Sequence, residues 1–411
     1  MSAPPLPRRR LAPGKVAAAV VCAVALSAAT TSADPPVSLF GGRLRLAGEV
    51  SGTLGSDDPG YFNYSDYAVS RLRLFRIDLS AELRIASAVA VLTDVRTDNL
   101  DTPRVYALFL RLTPWRERAV DLQAGLVPPV FGAFARQRYG YDDPLPSLPL
   151  VYQYLTILRY DSVPARAEDL VLRRGRGWEV AYPVGASDPE TGLPVIAGER
   201  YDTGVQLRLG RAPVSAALAL TQGSLSYPLV HDINGGKQVS ARVAFTPGPA
   251  LVVGVSAASG EWLSRDLVAV VPAGSSWPSG RRQDALGVDV QWSAGYWVLR
   301  GEAVWSRWGM PAIAETLITE PLPALGAFAE ARYKIRPGLY AAARLEHLGF
   351  GSIDSALGRQ TWEANVSRVE AGLGWTPLRH LLLKASWQHD QRDGGRVRRS
   401  DLFAGQALLW F

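Results

Sequence analysis

The chain has 411 residues, with 44 Lys and Arg against 38 Asp and Glu, a formal charge of +6, and a single cysteine, Cys22. That length fits one large domain or two small ones, and with no cysteine after Cys22 a disulfide scaffold is excluded. Much of the positive charge belongs to the first residues (Arg8, Arg9, Arg10, Lys15), so nucleic-acid binding has no compositional support.

Residues 1–33 read as a secretory signal peptide: a basic start, the apolar stretch "VAAAVVCAVALSAA", and small residues up to Ala33. The apolar stretch is too short to span a bilayer comfortably. "AVVC" lacks the small residues of a lipoprotein acceptor, and the arginine run lacks the rest of a twin-arginine motif. Residues 34–411 are expected to form one unit, since no linker or low-complexity stretch divides them.

From Gly42 onward the sequence alternates. Side chains on a strand point to opposite faces in turn, so a period of two marks a strand with unlike faces. "GRLRLAGEV" opens the series with Arg43, Arg45 and Glu49 on the polar face. In "RLRLFRIDLSAEL" the apolar phase slips between Leu74 and Ile77, which predicts a bulge near Phe75, with Arg71 and Arg73 on the polar face. "AVDLQAGL" at 119–126 follows, and then a long insertion, 128–200.

The alternation resumes with "TGVQLRL" (Arg208) and "KQVSARVAF" (Arg242). "ALGVDVQW" sets Leu286, Val288, Val290 and Trp292 against Asp289 and Gln291. "YWVLRGEAVW" sets Trp297, Leu299 and Trp305 against Arg300 and Glu302. The four segments after it place Glu330, Arg332 and Lys334, then Arg344 and Glu346, then Arg368 and Glu370, then Lys384 on the polar face; Trp375 and Trp387 take the apolar one. The last, "SDLFAGQALLWF", carries Phe403, Leu409 and Phe411 on one face.

Tight proline- or glycine-marked turns such as "LGRAP", "FTPGPA" and "KIRPG" alternate with longer polar stretches such as 222–236 and 260–281. Short turn, long loop is the pattern of an antiparallel up-and-down transmembrane β-barrel. Segments of about ten residues suit a tilted strand crossing hydrocarbon, whereas sandwich strands run to five or six. Trp297 and Trp305 would lie roughly 20 Å apart in such a strand, which with Trp292, Trp375 and Trp387 suggests two aromatic girdles. The fold class is therefore an all-β barrel of sixteen strands. Eighteen result if the insertion holds a hairpin of "LVYQYLTIL" with "GWEVAYPV".

The polar faces then line a lumen. Buried in a dry core, so many unlike charges would carry heavy desolvation penalties; beside water the cost largely disappears. Arg43, Arg45, Arg71, Arg73, Arg208, Arg242, Arg300, Glu302, Glu330, Arg332, Lys334, Arg344, Glu346, Arg368, Glu370 and Lys384 are the expected lining, with cross-strand bracing as their first role. The insertion is expected to fold into the lumen and narrow it. Arg136, Arg138, Tyr139, Arg173, Arg174 and Arg176 are its constriction candidates.

Two resemblances add to this. The final phenylalanine behind alternating apolar residues is similar to the last strand of Gram-negative outer-membrane barrels, with Leu409 where many have tyrosine. It implies recognition by the outer-membrane assembly machinery. The stretch "GLVPPVFGAF" at 125–134 resembles a motif of the phosphate-selective and related porins, with Leu126 in place of the usual lysine. That resemblance implies a porin-like channel in contact with outer-membrane lipid and lipopolysaccharide, and homotrimers. The four histidines stand in no nucleophile or metal-ligand pattern, so neither catalysis, metal nor cofactor is expected. Diffusion of small hydrophilic solutes, leaning weakly to anions, is the expected function. A plugged, substrate-specific barrel and a non-conducting structural barrel are the alternatives.

Overall fold

The structure, a computed structural model, describes residues 37–64, 69–115, 119–133, 140–313 and 318–411. The leader at 1–33 and the constriction candidates Arg136, Arg138 and Tyr139 lie outside the described residues. Sixteen long strands follow one another: β1 (Leu44–Gly55), β2 (Leu74–Ala86), β3 (Val89–Asp98), β4 (Arg104–Leu112), β5 (Val120–Val127), β6 (Asp202–Arg211), β7 (Val214–Thr221) and β8 (Gln238–Gly248), then β9 (Leu251–Glu261), β10 (Arg282–Ala294), β11 (Trp297–Trp308), β12 (Leu322–Arg336), β13 (Leu339–Phe350), β14 (Val366–Leu378), β15 (Leu381–Arg392) and β16 (Arg399–Trp410). Each pairs antiparallel with the next, and β16 closes on β1 from Glu49↔Trp410 to Gly55↔Ala404. A closed ring leaves no edge strand with unpaired backbone groups.

The alternation read from sequence decides what faces out. Leu286, Val288, Leu325, Leu345 and Leu373 share the outer rows and are each more than half exposed. Water would penalise such a band heavily, since burying a leucine-sized side chain is worth about 1.5–3 kcal/mol. Hydrocarbon removes that penalty. All five predicted girdle residues, Trp292, Trp297, Trp305, Trp375 and Trp387, also point outward, 37–49% exposed. Phe403 and Leu409 do the same on β16.

The expected count of sixteen strands holds and the eighteen-strand alternative falls, while the expected bulge does not form. Among its described residues the 128–200 insertion adds no wall strand: Leu150–Gln153 is helical, and a short ladder pairs Ser162–Val163 with Val184–Gly185. Sixteen strands therefore close the barrel. No bulge occurs near Phe75 either. β2 pairs with β1 without a break from Leu44↔Leu83 to Thr53↔Leu74, and its irregularity lies between Arg84 and Ala86. The apparent slip arises because Leu74 faces inward, buried at the lumen, while Ile77 stands opposite Val50 in the outer row.

The connection 128–201 runs down inside the barrel and brings a hydrophobic core with it. Leu150, Tyr152, Tyr154, Ile157, Leu170 and Val195 pack against Val304, Trp308, Phe328, Leu348 and Phe350 of the inner wall. Trp362, fully buried, meets Trp308 edge-on at 5.8 Å and Phe350 at 4.8 Å. The upper lumen along β10–β14 is thus filled by protein.

Candidate functional site

Below that core, the inner wall carries rows of charge set by strand register. Arg300, Glu330, Arg344 and Glu370 stand directly opposite one another on β11–β14, and Glu346, Arg368 and Asp390 do so on β13–β15. Signs alternate along both rows. Arg344 reaches three carboxylates: Glu346 and Glu370 at 2.9 Å and Glu330 at 3.3 Å. Arg368 binds Asp390 at 2.7 Å. Opposed unlike charges stabilise adjacent strands, and removing one member of a buried set leaves its partners uncompensated.

These residues were expected beside water, and the structure places the insertion over them instead. The Ser147 hydroxyl donates to Glu370, the Leu150 amide to Glu346 at 2.5 Å and the Tyr152 hydroxyl to Glu302 at 2.7 Å. Arg344 returns a bond to the Ser147 carbonyl at 3.0 Å. Arg344, Arg368 and Glu370 are fully buried. The charges are therefore bracing and anchorage for the loop, with no open water at their face. On β8, Arg242 binds Asp289 of β10 at 2.5 Å by crossing Gly254 of β9. A Cβ at 254 would stand 2.4 Å from the tips of both partners, so either tip would have to move to admit a side chain there.

The opposite wall keeps a cavity beside its charges. Arg76 and Arg96, on β2 and β3, and Arg71, just ahead of β2, converge on Glu199 of the insertion at 2.7, 3.0 and 3.0 Å. Asp98 holds Arg76 at 2.6 Å, Asp78 holds Arg96 at 2.5 Å, and Arg96 lies over the Tyr106 ring at 4.4 Å. Burial alone would raise the Glu199 carboxyl, but the three guanidinia outweigh it and hold it well below the usual carboxylate range. Around this cluster is a narrow cavity of about 70 Å³, bounded also by Glu49, Asp94 and Asp143. That is room for a few waters.

The descending chain is pinned at the waist. Lys384 donates to the Gly140 carbonyl at 2.6 Å, and the Gly140 amide donates to Glu49 at 3.1 Å. A side chain at 140 would meet Leu408 at 2.7 Å and Glu49 at 2.8 Å, so glycine permits the close approach. Burial pushes the nearby Asp143 carboxyl up to about 7, with Lys384 opposing.

No protein-family model matches the sequence, and no curated protein does. Solved structures do match. OmpF of Salmonella typhi, in complex with daunomycin, superposes over 90% of this chain and 97% of its own, with a TM-score of 0.55 and 13% identity. An anion-selective porin from Comamonas acidovorans covers 90% and 99%, with a TM-score of 0.53 and 10% identity. OmpT of Vibrio cholerae, folded in vitro and in trimer form, covers 90% and 99%, with a TM-score of 0.50 and 10% identity. The chain has the sixteen-stranded porin fold.

Within this porin barrel, several predicted site residues lie away from the waist. Arg173, Arg174 and Arg176 follow the helix Ala167–Val171 and sit near the loop joining β15 to β16, where Arg174 binds Asp393 at 2.8 Å. That is the long-loop rim, not the constriction. Arg73 is half exposed and paired with Asp57 at 2.5 Å at the same end. Arg43, Arg45, Arg208, Arg332 and Lys334 belong to the short-turn end. Arg71 and Lys384 do reach the waist.

Sequence reading missed Arg76, Arg96, Asp143 and Glu199. The first two were recoverable: without the assumed slip, Arg76, Asp78, Ser80 and Glu82 share one face, as do Asp94, Arg96 and Asp98. Glu199 and Asp143 lie on irregular backbone, where no period signals direction.

Proposed function

We propose that this chain is an outer-membrane channel of a Gram-negative cell, passing small hydrophilic solutes along the open side of a partly filled barrel. The observation that carries the reading is the eccentric, charge-lined cavity between Glu199 and the wall of β1–β4, inside a closed barrel with apolar outer rows. Mobile ions and water suit a lumen wall of this polarity, whereas an enclosed apolar pocket would suit a greasy ligand. The narrow waist and the apolar core favour a slow, size-selective channel over a wide general pore.

The signal peptide, the residue-by-residue lining and homotrimers belong to this proposal. The Vibrio cholerae protein in trimer form supports the last, and the outer row ending at Phe411 supports recognition by the assembly machinery. Anions are the favoured solutes. The phosphate specificity of the motif at 125–134 gains nothing from Leu126, which stands in the outer row opposite Leu108.

Purified, refolded protein in planar bilayers is expected to give discrete, small conductance steps. Replacing residues 140–198 by a short linker is expected to raise the step size severalfold. If neither protein carries current, the channel reading fails.

A further inference from the structure

Among the described residues, the inner rows near the short turns hold more positive charge than their acids can match. Glu82 there is bonded to Arg84 at 2.8 Å, and Asp121 to Arg111 at 2.7 Å. Arg45 stands opposite Glu82, and Arg208 opposite Asp121, yet each of those carboxylates already serves another guanidinium. Arg332 leans on the Tyr340 ring at 5.7 Å, and Lys334 is exposed. Among the described residues, Arg45, Arg208, Arg332 and Lys334 form no ion pair.

The other levels of the barrel differ. At the waist the three guanidinia meet Glu199, Asp98 and Asp78, and Lys384 lies among Asp143 and Glu49. At the long-loop rim Arg73, Arg174, Lys237 and Arg307 each hold an aspartate. Among the described residues, other rim guanidinia, Arg176, Arg396 and Arg398, form no ion pair either, but they sit on loops, whereas the short-turn excess lies on the inner rows of the wall itself.

We infer that the short-turn vestibule, periplasmic in barrels of this kind, selects small inorganic anions and short carboxylates, while the waist, where carboxylates match or outnumber the cations, supplies no anion preference and sieves by size. The inference rests on the channel reading above. Like charges that face one lumen from the same end add their potentials and raise the local anion concentration. The reach of that field depends on salt: the Debye length is about 30 Å at 0.01 M and about 3 Å at 1 M. At low salt the field extends to the waist; at high salt it is confined to the side chains that make it. Because the ring lies on one side of the narrowing, current is larger in the direction that drives anions from the ring into the waist.

The test is the reversal potential of wild-type channels under a potassium chloride gradient, measured at low and high mean salt. Chloride is expected to permeate severalfold better than potassium at low salt and nearly equally at 1 M. The triple variant Arg45→Gln, Arg332→Gln, Lys334→Gln is expected to bring the low-salt ratio close to one and leave the 1 M conductance unchanged. A second readout needs no variant: citrate added on the short-turn side of wild type is expected to depress chloride current more than citrate added opposite. A conducting wild type that prefers potassium at low salt, a triple variant that retains the wild-type ratio, or citrate acting equally from both sides would overturn the inference and leave the channel intact. A wild type without current would remove both.

Discussion

The two sides of this lumen solve the same problem in opposite ways. Along β10–β15 the inner charges are packed under the insertion, alternate in sign, and are sealed by Ser147, Leu150 and Tyr152. Along β1–β4 comparable charges gather on Glu199 and leave a cavity beside them. Both sides neutralise their arginines. What differs is whether the insertion or a cavity lies against them, and that depends on where the chain between β5 and β6 lies. Charge content alone therefore does not mark a pore wall.

The sharpest way to break the contrast is Arg344→Ala. It strips the shared cation from Glu330, Glu346 and Glu370, all buried, and is expected to cost about 3–5 kcal/mol. The temperature at which the folded barrel shifts its gel mobility should fall clearly. An unchanged transition would mean that the sealed side is wetter than the packing indicates. Glu199→Gln should cost less, about 3 kcal/mol, because Asp98 and Asp78 still hold two of the three guanidinia. It should also raise anion current at low salt, which no substitution on the sealed side should do.

A third effect comes from pH. The Asp143 carboxyl, ordinarily near 3.8, is raised to about 7 by burial. Between those values the native state binds more protons than the unfolded one, so this group's contribution to stability falls as pH rises from about 4 to about 7. Cation permeability should grow through the upper part of the same window as the carboxylate ionises. Asp143→Asn is expected to flatten both the denaturation profile and the permeability profile across that range. The smallest effect belongs to Arg73→Ala. Its half-exposed pair with Asp57 should be worth less than about 1 kcal/mol, and neither melting nor conductance should move measurably.

Much of the barrel was legible because its outer rows answer to a uniform solvent. Leu286 to Trp292 and Ala329 to Ile335 alternate without exception, and lipid demands nothing subtler. The inner rows answer to whatever lies beside them. Val304, Trp308, Leu348 and Phe350 are inward-facing apolar residues at the long-loop ends of their strands. They were the sequence's sign that something covers the wall, but it is a sign only once the rows are known to face inward. Leu74 misled for the same reason, being read as a slip because an apolar side chain inside a pore looked out of place. Glu199 left no trace, since its position depends on a path of more than seventy residues with little regular structure.

Phe411 lies opposite Gly48 on the edge of β1, bonded through its amide at 3.0 Å, and the short strand Val37–Leu39 occupies the same edge from Leu46 to Leu44. The two segments run in one direction and are separated only by the place opposite Ala47. The ring is thus completed by a spliced stave, half from either extremity of the described chain. A one- or two-residue bridge from Phe411 to Val37 would make that stave continuous, and the polypeptide could then be reopened in a surface loop such as 354–359 to give a circular permutant with the same staves in the same circle.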